Sequence, residues 1–120
     1  MKTVKEIIIV GPRVLIAPDE SEERTDAGLY LPPTVREKED VMGGFVIKTG
    51  PGYPVPDMAS GVESWMQKQP NYIPLQAEEG DYALFLKKDA VEIEYEGKRY
   101  LIVPHSSILA LIRTSIQENE

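Results

Sequence analysis

Three features of the 120-residue sequence predict an all-β fold. The apolar residues fall in short β-branched and aromatic runs, glycine or proline stands at most run ends, and one stretch alternates with a period of two. That alternation is clearest from Val91 onward: Val91, Ile93 and Tyr95 share one face while Glu92, Glu94 and Glu96 share the other. Such a pattern belongs to a strand with one wet side. Several strands of this length separated by turn residues build a small barrel or sandwich.

Taken in order, residues 7–10 (Ile7, Ile8, Ile9 and Val10) form a β-branched run and are read as a strand. After Gly11-Pro12, a second run at residues 14–17 stops at Pro18 and an acidic cluster. Gly43-Gly44 and Gly50-Pro51-Gly52 bracket Phe45-Val46-Ile47, which predicts a third strand between two glycine turns. Gly80-Asp81 opens a fourth at residues 82–86. The alternating strand reverses at Glu96-Gly97-Lys98 into residues 99–103, a hairpin that Pro104 ends. Residues 106–116 stay open between two readings. Ile108, Leu109, Leu111, Ile112 and Ile116 match helical spacing with Ser106 as N-cap, against the strand pattern of the rest.

Two long segments fit neither pattern. Residues 19–40 are polar and charge-rich, with five acidic residues against the single Arg24 across residues 19–26. A segment of this composition buries too little apolar surface to fold by itself. In its middle stands Leu29-Tyr30-Leu31, preceded by Ala27-Gly28 as a pivot and followed by Pro32-Pro33, which cannot extend a helix or a central strand. The triplet reads either as bait on a mobile arm for a partner protein, or as an ordinary short edge strand with Leu29 and Leu31 facing the core. The second segment, residues 51–79, runs 29 residues with five prolines, Pro51, Pro54, Pro56, Pro70 and Pro74. Loops this long are uncommon unless functional or disordered. Met58, Val62, Trp65 and Met66 have helical spacing within it, and Trp65 suits either a local mini-core or a partner.

Composition excludes several classes of function. At 13.4 kDa, residues 1–120 make one domain, with modest stability unless subunits associate. With 20 acidic against 13 basic residues and a formal charge of −7, the surface repels phosphate backbones and anionic lipid, so neither nucleic acid nor membrane is an expected partner. The sequence has no cysteine, hence no disulfide, thiolate nucleophile or sulfur-rich metal site, which fits a reducing compartment. The apolar run after Met1 is too short for a signal-peptide core or a membrane span, so a soluble cytoplasmic protein is expected. Catalysis needs a base held by a second group, and His105 beside Ser106 and Ser107 offers no such geometry. Gly50-Pro51-Gly52 lacks the lysine and helix of a phosphate loop, and one histidine without cysteine makes structural zinc improbable. The expectation is a non-enzyme with no cofactor and no metal.

The ordered set of Arg13-Val14-Leu15-Ile16, Ala27-Gly28-Leu29-Tyr30-Leu31-Pro32, Gly44-Phe45-Val46, Gly50-Pro51-Gly52, Gly80-Asp81 and residues 100–112 resembles the co-chaperonins of the GroES, or chaperonin-10, family. The resemblance spans residues 7–113. It implies an irregular β-barrel subunit with a mobile loop at about residues 19–40 and a roof loop at about residues 51–79. The subunits of that family form a seven-membered ring that caps a large ring chaperonin in its ATP-bound state and closes its chamber during protein folding. By the same resemblance, Leu29, Tyr30 and Leu31 are the chaperonin-binding tripeptide. Leu109, Leu111 and Ile112 would lie on a strand that pairs with Ile7, Ile9 and Val10 of the neighbouring subunit, overriding the helical spacing. Three departures stand out: Tyr30 where the family has a small aliphatic residue, Ala27-Gly28 where it tends to have two glycines, and a much longer roof segment. Two other readings compete. One is a stand-alone β-barrel interaction module that binds a different protein. The other is the related barrel of medium-chain dehydrogenases, whose cysteine ligands and dinucleotide domain this chain lacks.

Overall fold

The β-branched and aromatic runs become strands wherever a neighbouring strand can take up their backbone hydrogen bonds. The computed structural model describes residues 2–20, 28–33, 40–56 and 71–116. In chain order the strands are β1 (Arg13–Pro18), β2 (Val41–Thr49), β3 (Tyr53–Val55), β4 (Asn71–Ile73), β5 (Tyr82–Leu86), β6 (Val91–Tyr95), β7 (Lys98–Pro104) and β8 (Ile108–Ile112). Six of them make one antiparallel sheet in the order β6-β7-β1-β2-β5-β8, and β3 pairs with β4 as a separate two-stranded ribbon. The fold is all-β, and β6 and β8 are the two edges of the large sheet.

One face of that sheet curls around a core of Val14, Ile16, Val46, Ala83, Phe85, Leu101 and Val103, joined by Ala77 from the loop before β5. Ile108 and Leu111 of β8 pack against the same core. Their burial, with the register Leu84↔Ala110 and Ala83↔Leu111, decides the open segment in favour of a strand. Helical spacing there loses to tertiary pairing. The β6–β7 hairpin follows the sequence closely, with Glu96 and Gly97 at positive φ (51° and 79°) in the two-residue turn. Its apolar face is only partly covered, since Ile93 and Tyr95 are half-buried and Val91 is exposed.

Two expected elements differ. Gly43-Gly44 is not a turn but the middle of β2, paired to Leu84 and Ala83 of β5. Glycine is needed there for close approach: a Cβ on Gly43 would overlap the Tyr82 ring, and one on Gly44 would overlap Ile16 and the Ala17 carbonyl. Tyr82 cannot step aside, because it is 2% exposed, packs edge-on against Phe45 at 5.0 Å and donates its hydroxyl to Asp19 at 2.9 Å. Gly43→Ala is therefore expected to cost about 1–3 kcal/mol by overpacking, read as a lower denaturant midpoint with an unchanged slope.

The second difference is the run at residues 7–10, which joins no strand. β1 already has β2 and β7 on its two sides, and β2 has β1 and β5, so neither inner strand offers a free ladder. The run lies beside Lys48, whose ammonium donates to the Ile7 carbonyl at 3.0 Å and stands 3.8 Å from the Glu6 carboxylate. The long proline-rich segment also carries structure the sequence did not suggest, the β3–β4 ribbon at its base. The helical spacing of Met58, Val62, Trp65 and Met66 falls outside the described residues.

Candidate interaction site

β1 and β2 bring the two roots of the arm together, since Pro18 pairs with Gly44 at the end where residues 19–40 depart and return. The outgoing root is held tightly. Asp19 is buried, its backbone N–H donates to the Gly43 carbonyl at 2.9 Å, and its carboxylate accepts from Tyr82. Glu20 accepts from Arg99 at 2.7 Å, and the same guanidinium lies 3.1 Å from Glu92. At the returning root, Asp40 has a positive φ of 54° and its carbonyl accepts from the Lys87 N–H at 2.8 Å.

Between the roots, residues 28–33 are described, and Ala27 of the expected pivot lies outside them. Gly28 has φ 87°, a backbone conformation that favours glycine, with open space where a Cβ would stand. The triplet is not uniformly displayed: Tyr30 is 51% exposed, Leu29 is half-buried and Leu31 is only 5% exposed. Leu31 thus packs on its own subunit, as the edge-strand reading had it, while Tyr30 faces outward.

The other candidate contacts divide between two unpaired edges. Along residues 7–10 exposure alternates: Ile9 is buried and Ile7 half-buried, whereas Ile8 and Val10 are exposed at 72% and 68%. Ile7 and Ile9 therefore face their own subunit, and Ile8 joins Val10 on the outward side. The sequence reading passed over Ile8, although a period of two anchored at Ile9 identifies it. On β8, one side pairs with β5 and the other has no strand partner among the described residues; Leu109 is 55% exposed, and Leu111 and Ile112 are half-buried. A free strand edge with apolar side chains is a template for another chain.

Immediately after β8, Arg113 closes on Asp81 with two parallel hydrogen bonds, Nε to Oδ1 and Nη2 to Oδ2, each 2.7 Å. Arg113 also donates to the Gln76 carbonyl at 3.1 Å, and the Glu78 N–H donates to Asp81 at 2.8 Å. This bidentate clamp ties the end of β8 to the loop before β5. The Arg113 hydrogen bonds hold the Asp81 pKa below its ordinary value against the opposing effect of burial, with the Glu78 N–H and the Arg113 charge adding to the lowering. Because the folded value lies below that of a free aspartate, about 3.9, the stabilisation is full above that pH and fades as pH falls through the lowered value. Asp81→Asn is expected to cost about 1–3 kcal/mol near neutrality and to flatten the acid side of a stability profile, measured by urea unfolding from pH 7 to pH 3.

Two of the three residues weighed for hydrolysis, His105 and Ser107, have other partners. Ser107 donates to Asp89 at 2.7 Å, and His105 Nδ1 lies 3.2 Å from the Tyr53 hydroxyl. Among the described residues no group of histidine, cysteine or carboxylate side chains could hold a metal ion, and no helix is long and apolar enough to cross a membrane.

The family model described as the chaperonin 10 kDa subunit matches residues 6–112, from the N-terminal run to the end of β8. Curated relatives include a co-chaperonin GroES from Halalkalibacterium halodurans, 36% identical over 103 residues that cover 86% of this chain and 95% of the relative. A co-chaperonin GroES from Rhodothermus marinus is 37% identical over 103 residues, 86% of this chain and 88% of the relative. One from Coprothermobacter proteolyticus is 34% identical over 107 residues, 89% and 95% of the two chains. With a family model matched over residues 6–112 and relatives at 34–37% identity covered nearly end to end, this chain belongs to the chaperonin 10 family of co-chaperonins.

Proposed function

We propose that the protein assembles into a seven-membered ring that caps a large ring chaperonin in its ATP-bound state, with Leu29, Tyr30 and Leu31 as the docking tripeptide of each arm. The observation that carries this reading is the family match over residues 6–112, which takes in the arm, the run at residues 7–10 and the β8 edge together. Ring closure would pair the free edge of β8, with Leu109, Leu111 and Ile112, to the run containing Ile7, Ile9 and Val10 of the next copy. Among the described residues, neither partner has a strand neighbour on those sides within its own subunit. Each copy then offers one edge and fills another, a head-to-tail arrangement that closes as a ring. The absence of cysteine suits the reducing cytoplasm, where we place this activity.

The arm works best in numbers. Three large side chains contribute about 5–9 kcal/mol gross on burial, at roughly 1.5–3 each. Ordering a dozen residues costs about 1–2 kcal/mol apiece. Leu31 lowers the gain further, because it leaves one buried site to enter another. A single arm is therefore weak, and several arms on one ring bind at high effective concentration and still release. Surface-immobilised large chaperonin should retain the protein with ATP and lose it when nucleotide is removed. Retention that ignores nucleotide, or none at all, would refute the reading.

A further inference from the structure

The outgoing root of the arm is held by polar groups in a place where apolar ones would cost less. Asp19 is 9% exposed and Tyr82 only 2%, and the phenol donates to the carboxylate at 2.9 Å with the Phe45 ring edge-on to Tyr82. Burying a carboxylate and a phenol costs desolvation that their hydrogen bond at best returns, and an apolar pair of similar volume would hold a strand end at least as well. What the hydrogen bond adds is direction. Gly43 completes the device, since the Tyr82 hydroxyl passes where a Cβ on that residue would stand, and the Gly43 carbonyl accepts from the Asp19 N–H at 2.9 Å. Backbone and side chain of Asp19 are thereby fixed at once.

The same strand serves the other root. β5 begins at Tyr82 and ends at Leu86, and the N–H of the next residue, Lys87, donates to the Asp40 carbonyl at 2.8 Å. The arm departs beside the start of β5 and returns beside its end. Arg99 also ties Glu20, but that ion pair is exposed and screened by water, so the buried phenol is the stronger constraint. Several arms must find their grooves together, and each searches a volume set by where it starts and points. Holding Asp19 and Glu20 in place also removes two residues from those that docking must order.

We infer that Tyr82 is a positioning residue for the arm: its buried hydroxyl fixes Asp19, and through it the point and direction at which the arm leaves the sheet. The inference rests on the docking proposed above and gives a part in it to a residue too buried to touch the chaperonin. Tyr82→Phe removes the hydroxyl and keeps the packing against Phe45. It should leave the assembly at full mass, speed hydrogen exchange of the Asp19 amide at least tenfold, and weaken ATP-dependent binding to the large chaperonin at least tenfold, because the loosened root recurs in every arm. Asp19→Ala should do the same, whereas Asp19→Asn, which keeps an oxygen for the Tyr82 hydroxyl, should bind within threefold of wild type. Val103→Ala, a buried truncation at the far end of β1 from the arm, lowers stability without touching the root and should bind within twofold. Less than a tenfold loss for Tyr82→Phe, an equal loss for Val103→Ala, or an Asp19→Asn protein as weak as Asp19→Ala would overturn the inference and leave the docking standing. A wild-type protein that never binds the chaperonin would overturn both.

Discussion

Leu31→Asp should keep its ring at full mass and lose ATP-dependent binding to the large chaperonin by more than about a thousandfold, because the defect recurs in every arm. Each arm forfeits what the leucine gains in the groove beyond its own buried site and, as the larger cost, must desolvate a carboxylate in an apolar groove. Even a tenfold loss per arm compounds when several arms act together. Leu31 is 5% exposed, so the charge also unseats the arm from its own subunit. Leu29→Asp, at a half-buried position, separates the two effects and is expected to abolish capping as well. Native mass of each variant alone, then retention on chaperonin with ATP, is the pair of measurements. A Leu31→Asp ring that still binds normally would remove the triplet from the docking role.

Leu109→Asp is expected to convert the ring to monomers across the micromolar range while leaving the subunit folded. Leu109 is 55% exposed and contributes no core packing, so its replacement costs the isolated subunit little. In the ring the same side chain would lie at every junction, and a carboxylate placed there adds charge to a chain already at −7. Losing roughly 2 kcal/mol of burial per junction is cumulative in a closed ring, where each copy contributes two junctions. Sedimentation velocity reads the mass, and far-ultraviolet circular dichroism reads the retained strands. A variant that still sediments as a ring would move the junction away from β8.

Much of the sheet was legible in the residues because several of its strands are local patterns with one solution. Val14 to Ala17, Tyr82 to Leu86 and the alternating Val91 to Tyr95 each become strands, and Glu96-Gly97 makes the tight reversal. What sequence hid was decided at a distance. Gly43 and Gly44 read as a turn because glycine usually permits one, yet here they admit the Tyr82 ring and the Ile16 side chain from neighbouring strands. Ile108 to Ile112 has helical spacing, and only pairing with β5 makes it a strand. Residues 7–10 have strand composition but no free ladder in their own subunit, so composition alone could not place them. For the arm, charge and proline singled out Leu29, Tyr30 and Leu31 but carried no sign that Leu31 packs inward while Tyr30 stays outside. The anchoring of Asp19 by Tyr82 and of Glu20 by Arg99 joins residues far apart in the chain and left no mark in local sequence.

Native mass spectrometry of the purified protein, alone and mixed with a large ring chaperonin with and without ATP, addresses the proposed activity at its root. A seven-membered ring alone, and a complex of one ring with the chaperonin that forms only with ATP, is the predicted result. A stable monomer that never associates with the chaperonin in either nucleotide condition would contradict it.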